Sequence, residues 1–301
     1  MDRSFSRGSF ADLTALPVVA DSKIPRGLMT NKQPELYARF VALHQRKEAF
    51  LMPNAWDGAS AVLLKRAGFE ALGSSSIAIA FALGRQDGRH EVSRTDAIAN
   101  AHLLTQLSSL PVNGDLEDGF GPGPEDCAIT VEAAIAAGLA GLGIEDTTAD
   151  PSKPFHDFDQ AVQRVRRAAE IAKGRILLTG RTDNYLNGRP DLEDTIRRLT
   201  AFAEAGAGVL FAPGLPDMDA IRAVVKAVSP KPINVVFGPG TEPVHLRGLS
   251  KAGVKRVSMR GVLYRSAMAG MVEAARHLAE GDIAAAVTKL SSGEIASLLP
   301  K

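Results

Sequence analysis

Eight short runs of β-type apolar residues, each followed by a longer segment of helical period, are the strongest constraint on how this 301-residue chain can fold. They fall at 49–53, 71–74, 112–116, 141–145, 176–180, 209–213, 233–237 and 256–259. Strands alternating with helices predict a parallel sheet with crossover helices, and eight such units predict an α/β fold closed into a (β/α)8 TIM-like barrel. An open doubly wound sheet is the alternative, but functional residues at so many strand ends favour the barrel. Helices are expected over 58–67, 95–107, 131–137, 158–172, 192–205 and 218–228, with two more, 266–279 and 283–289, after the last strand. Gly68, Gly138, Gly206 and Gly253 each follow an alanine at a helix end, where a C-cap at positive φ favours glycine. The first 35 residues have no period and are rich in Ser, Asp, Arg and Pro, so the chain divides into an N-terminal tail or arm, 1–35, and a barrel with C-terminal helices, 36–301.

Charge and cysteine content narrow the function. Lys and Arg number 35 against 34 Asp and Glu, which leaves no net field for nucleic acid or an anionic membrane and points to a small-molecule ligand. The single Cys127 excludes an intrachain disulfide and a cysteine-rich metal site and suits a reducing compartment. No apolar run approaches the roughly 18–20 residues needed to span a bilayer, so a cytoplasmic location is expected. The six histidines, at 44, 90, 102, 156, 245 and 277, have no zinc-ligand spacing. Gly119-Phe120-Gly121 and Gly238-Pro239-Gly240 are too short to be dinucleotide fingerprints.

In a parallel barrel, chemistry collects at the carboxyl ends of the strands. Asp115 and Glu117 are two apart at such an end, so their side chains point the same way, and Glu145 arrives from the neighbouring strand. Three carboxylates in one mouth repel, and a hard divalent cation relieves this by taking oxygen ligands directly or through its waters; Mg²⁺ takes one or two carboxylates and keeps several waters. Each acid has a plainer alternative as a helix cap or a partner of Arg181. Arg181 offers a planar fork for a carboxylate or phosphonate, or a salt bridge to Asp183. Ser74, Ser75 and Ser76 suit an anion at a helix N-terminus or serve as ordinary caps. Trp56 forms a pocket wall or packs under the rim. Asp87 sits in a Gly84–Gly88 turn, and the glycine-rich 119–123 stretch is either a lid or a plain loop.

Taken in order, PNAWD, GSSS with GRQD, DLEDGFG, GIED, GRTD, INV and GVKRVS resemble the phosphoenolpyruvate mutase and isocitrate lyase superfamily from about residue 48 to residue 280. The resemblance implies a (β/α)8 barrel whose final helix is swapped between subunits of a homodimer or homotetramer. It implies Asp115 as direct Mg²⁺ ligand, Glu117 and Glu145 holding metal waters, and Asp87 beside metal and substrate. Asp87, Glu145 and Arg181 would then be catalytic, Arg181 with Ser74, Ser75 and Ser76 would bind a 2-oxo acid, and Trp56 and Asn234 would line the pocket.

Lyases of that superfamily carry a cysteine loop after the fourth strand, where this chain reads Asp146 to Pro154 without cysteine, and a glutamate at the sixth strand end, where it reads Ala212-Pro213-Gly214. The segment also lacks the phosphonomutase gating loop, which contains a Lys and an Asn-Ser. The expectation is therefore a branch without the catalytic-cysteine loop: a Mg²⁺-dependent carbon-carbon lyase or decarboxylase acting on a small 2-oxo or 2-hydroxy acid through a metal-stabilised enolate, with Lys153 or His156 as candidate proton donors. The alternatives are a phosphorus-carbon bond enzyme and a non-catalytic oxo-acid binding protein.

Overall fold

The computed structural model describes residues 32–236, 245–287 and 291–298. The tail residues 1–31, Phe237, the Gly238-Pro239-Gly240 stretch and Lys289 lie outside these. Helix α1 (Gln33–Gln45) leads into β1 (Phe50–Met52), α2 (Gly58–Arg66), β2 (Leu72–Gly73), α3 (Ser76–Ala82) and α4 (Arg94–Ser108). Next come β3 (Val112–Asp115), α5 (Pro124–Ala136), β4 (Gly141–Glu145), α6 (Phe158–Ala172), β5 (Leu177–Arg181) and α7 (Leu192–Glu204). The chain continues through β6 (Val209–Phe211), α8 (Met218–Val228), β7 (Ile233–Val236), α9 (Leu246–Lys251), β8 (Arg256–Ser258), α10 (Val262–Ala279), α11 (Ile283–Ala286) and α12 (Ser292–Leu298).

All eight strands are parallel, in the order β1-β8-β7-β6-β5-β4-β3-β2. The remaining seam, between β1 and β2, is drawn together by a single bridge, Asn54 with Gly73. Ala55 N donates to Gly73 O at 2.8 Å, and Gly73 N to Pro53 O at 2.9 Å. Asn54 reinforces the seam: its amide donates to Ser74 O at 2.6 Å and accepts from Met259 N at 2.9 Å. A Cβ on Gly73 would stand 2.7 Å from the Asn54 amide nitrogen, so only glycine admits this clamp.

The eight strands and the helices between them follow the expected pattern, and α6 and α8 begin and end where the periodicity sets them. Helix starts are fixed by local chemistry. Asp57, Ser75, Ser93, Asp191 and Asp217 accept bonds from backbone N–H groups in the first turns of α2, α3, α4, α7 and α8, satisfying donors that a helix leaves unpaired. Three helices were not anticipated. α1 starts inside the stretch assigned to the tail, α3 emerges from the triple serine, and α12 follows the two helices expected after the last strand.

α1 shuts the amino-terminal end of the barrel. Leu36, Phe40 and Leu43 pack with Phe50, Ala71 and Ala140, residues at or just before three strand starts. Phe40 approaches β4 so closely that a Cβ on Gly141 would lie 2.6 Å from its ring. A second, larger apolar cluster joins the strands to the helix ring, including Leu104, Val131, Leu142, Val165, Leu199, Phe202, Leu210 and Val224. With one end plugged and the sides packed, polar side chains collect at the carboxyl ends.

Candidate active site

β3, β4 and β5 deliver the central residues side by side. Asp115 pairs in register with Gly143, and Glu145 with Arg181. Arg181 grips Asp183 with both prongs, Nε and Nη2 each 2.6 Å from a carboxylate oxygen. Its remaining nitrogen reaches Glu145 at 2.9 Å and Asp115 at 3.2 Å. The serine turn completes the Asp115 environment: Ser76 donates its backbone N–H (2.9 Å) and hydroxyl (3.0 Å) to one carboxylate oxygen, and Asp115 N donates to Ser74 Oγ at 2.8 Å. Thr147 Oγ donates to Glu145 at 2.5 Å. Glu117 holds a left-handed backbone at φ 47°, uncommon for a residue with a side chain.

Two adjoining cavities open here. The inner one is lined among others by Asn54, Ser74, Asp115, Phe211, Asn234 and Ser258. The outer one is the roomier of the two and is lined by Ser76, Asp87, Glu117, Glu145, Asp183 and the 147–151 loop. Arg181 and Arg260 belong to both walls.

The acids outnumber their counter-charges. Burial, reinforced by Asp115, raises the Asp87 carboxyl. Burial, with Asp87 the foremost charged neighbour, pushes Glu117 up to about 8. Burial raises Glu145 well above the usual carboxylate range even though Arg181 opposes the shift. Burial works against the charge of Arg181, but Asp183, Glu145 and Asp115 outweigh it and hold the guanidinium protonated. One oxygen of Asp87 is buried with no hydrogen-bond partner, which costs stability unless something fills the position. Among the described residues no group of three Asp, Glu, His or Cys side chains is arranged to hold a metal ion. A cation that retains most of its water and takes one or two carboxylates needs no such group. The orphaned Asp87 oxygen and the raised carboxyls around it fit that kind of occupant.

Behind Glu117 lies a network that the sequence did not reveal. Asp118 is buried and accepts from His90 Nε2 at 2.7 Å and from Arg164 Nη2 at 3.4 Å, with His156 Nε2 at 3.6 Å. Burial alone would raise its pKa, but His156 and His90 hold it well below the carboxylate range. The network fixes the segment after β3. Arg94 donates to Phe120 O at 2.7 Å, Arg164 to Gly123 O at 3.0 Å and Thr130 to Gly119 O at 2.7 Å. A Cβ on Gly119, at φ 95°, would meet Cys127 Sγ at 2.9 Å. The 119–123 stretch is thus a pinned turn leading into α5, and the lid reading does not describe it.

The other candidates take varied places. Ser75 caps α3 and lines neither cavity, whereas Ser74 and Ser76 line one each. Asn234 lies deep in the inner cavity, donating to Ser258 Oγ at 2.9 Å and accepting from Arg256 at 3.0 Å. Trp56 lines neither cavity; its ring packs edge-on against Tyr264 of α10 at 5.4 Å. Lys153 pairs with Asp157 on the surface, and His156 is turned inward against Asp118, so neither reaches the cavities. Cys127 is buried, and burial pushes its thiol up to about 11. Arg256, buried in the barrel and bonded among the described residues only to the neutral acceptors Asn234, Asn113 and Thr179, was also missed. Burial lowers its pKa to about 9. A lone arginine inside an apolar strand gives no sequence signal of its surroundings.

Comparison with known proteins places this geometry. The model of the phosphoenolpyruvate phosphomutase family matches residues 40–279. A 2-methylisocitrate lyase from Halalkalibacterium halodurans is 30% identical over 236 residues, covering 75% of this chain and 76% of that protein. An oxaloacetate decarboxylase from Paraburkholderia xenovorans is 34% identical over 200 residues, 63% of this chain and 65% of that one. A solved structure from Burkholderia cenocepacia, provisionally assigned as a lyase or mutase, superposes with a TM-score of 0.84 at 39% identity, covering 89% of this chain and 96% of the other.

Proposed function

Because the chain belongs to the phosphoenolpyruvate phosphomutase family, we propose that it is a Mg²⁺-dependent lyase or decarboxylase acting on a small 2-oxo or 2-hydroxy carboxylic acid. The observation that carries this reading is the crowding of Asp87, Asp115, Glu117 and Glu145 at one barrel mouth, with the carboxyls of Asp87, Glu117 and Glu145 raised and one Asp87 oxygen unpartnered. Asp115 would hold the cation directly, with Glu117 and Glu145 acting through its waters and Asp87 beside it. A bound divalent cation supplies Lewis-acid stabilisation of the negative charge that develops as a bond next to the oxo group breaks.

The protein's own residues do the rest. The turn at Ser74 and Ser76 orients Asp115 and presents hydroxyls at the border of the inner cavity, where the carboxylate of the acid docks. Arg181 fixes the relative positions of Asp115, Glu145 and Asp183 and offsets part of their repulsion. Asn234 holds the depth of the pocket with Ser258. The only cysteine is buried behind Asp118, which supports a branch that works without a cysteine proton donor. Met271, Val272 and Leu278 leave α10 with exposed apolar side chains; we assign this surface to subunit contact in a homodimer or homotetramer with exchanged C-terminal helices.

The test is incubation with Mg²⁺ and a panel of 2-oxo and 2-hydroxy di- and tricarboxylates, monitored for pyruvate, glyoxylate and carbon dioxide. Turnover of at least one acid, abolished by a chelator, is expected. No product from any acid at high enzyme concentration contradicts the proposal. Phosphonopyruvate belongs in the same panel, with phosphorus NMR reporting any phosphorus-carbon cleavage.

A further inference from the structure

We infer that Arg260 is the residue that selects substrates bearing a second anionic group, its guanidinium receiving a distal carboxylate while the reacting end lies against Asp115 and the serine turn. This rests on the oxo-acid reading of the pocket and adds to it the identity of the selecting residue.

Two arginines border both cavities, and they differ in what their nitrogens do. Arg181 is committed: both prongs of its fork are on Asp183 and its remaining nitrogen is shared by Glu145 and Asp115. A substrate carboxylate meeting Arg181 competes with three resident carboxylates. Arg260 is uncommitted. Among the described residues its side chain makes no ion pair and donates no hydrogen bond, and it is exposed where the cavities join. It lies just past β8, after Met259, at the strand end where a parallel barrel places its functional groups.

The backbone adds a second observation. Arg260 holds φ 49°, a left-handed conformation that disfavours residues with a Cβ, and Gly261 stands beside it. Strained backbone of this kind collects at ligand sites. Its charge acts on the acid cluster, since Arg260 is among the groups that lower the Asp87 carboxyl. Arg89 also borders the outer cavity, but it has no share in the wall of the inner one. A planar guanidinium whose donors are unpaired among the described residues, facing a cavity that already holds one carboxylate site, is suited to bidentate capture of another carboxylate.

The experiment compares Mg²⁺-loaded wild type, Arg260→Gln and Arg260→Lys by calorimetry with three probes: oxalate, lactate and malate. Malate differs from lactate by the distal carboxylate, and oxalate has no distal group. Wild type is expected to bind malate more tightly than lactate by about 10- to 100-fold, the range of a hydrogen bond to a charged group. Arg260→Gln should bring the two within about threefold while leaving oxalate affinity unchanged, and Arg260→Lys should restore part of the preference as a point charge. An unchanged malate-to-lactate ratio in Arg260→Gln, with oxalate still bound, overturns the role of Arg260 and leaves the pocket reading intact. Binding of none of the three by wild type overturns the pocket reading and this inference with it.

Discussion

Replacing Glu117 by Gln is expected to stabilise the metal-free protein, and increasingly so as the pH rises. Glu117 is only 7% exposed, and burial, with Asp87 the largest charged contributor, moves its pKa from 4.5 to about 8. The unfolded chain releases this proton near 4.5 and the folded chain keeps it until about 8. Between those values the native state binds more protons than the unfolded state, so stability falls as pH rises. The contribution is fully present below the unfolded value and is lost as pH passes the folded one. At ~1.36 kcal/mol per unit, the loss is ~1 kcal/mol at pH 5 and ~4 kcal/mol at pH 8. Gln keeps the size and the polar head and has no proton to lose, so its curve should diverge from wild type by roughly 3 kcal/mol across that interval. At roughly 2 °C per kcal/mol for a chain of this length, Tm values should differ by about 6 °C more at pH 8 than at pH 5. Thermal denaturation in EDTA at constant ionic strength, followed by circular dichroism, measures this. Parallel wild-type and Glu117→Gln curves from pH 5 to 8 would refute the electrostatic account of the cluster.

Other outcomes follow from the same geometry. Mg²⁺ binding at pH 7 should release close to one proton, ~0.9 for a group titrating at about 8; calorimetry in two buffers of different ionisation enthalpy detects it, and identical heats argue against it. Arg181→Met strips the counter-charge from Asp115, Glu145 and Asp183 and should cost roughly 3–5 kcal/mol at neutral pH, read by urea denaturation; a loss under 1 kcal/mol contradicts the central placement of this arginine. Asp118→Asn leaves Arg164 buried without its anion and should cost a similar amount, roughly 3–5 kcal/mol, whereas a neutral result would show the His90, His156 and Arg164 network to be dispensable. Gly141→Ala drives a methyl group into Phe40 and should cost about 1–3 kcal/mol, measured by the same denaturation; an unchanged midpoint would mean that α1 does not press on the strand.

The sequence made the barrel legible because its signals are local. Apolar runs, helical periods and glycines such as Gly68 and Gly253 after helix ends each depend on a few neighbouring residues. α3 escaped notice because Ser76–Ala82 is short and apolar, and periodicity alone does not separate such a run from a strand. The strand-end rule found Asp115, Glu145 and Arg181, and the structure brings both acids onto the arginine. It did not separate acids that face the cavity from those that cap: Asp57 has the same sequence context as a site residue and serves as the cap of α2. Asp118, adjacent to Glu117, points away to Arg164, a partner 46 residues distant. The status of Arg260 was illegible for a related reason, because being unpaired is a property of the whole mouth and not of any motif.

The most direct measurement is a calorimetric titration of oxalate, a non-reacting planar mimic of a 2-oxo acid's charged end, into the protein with Mg²⁺ and, separately, with EDTA. The account predicts tight 1:1 binding per subunit with Mg²⁺, loss of that binding in EDTA, and loss in Asp115→Asn even with Mg²⁺ present. Oxalate binding of equal strength with Mg²⁺ and with EDTA, or none under either condition, would contradict it.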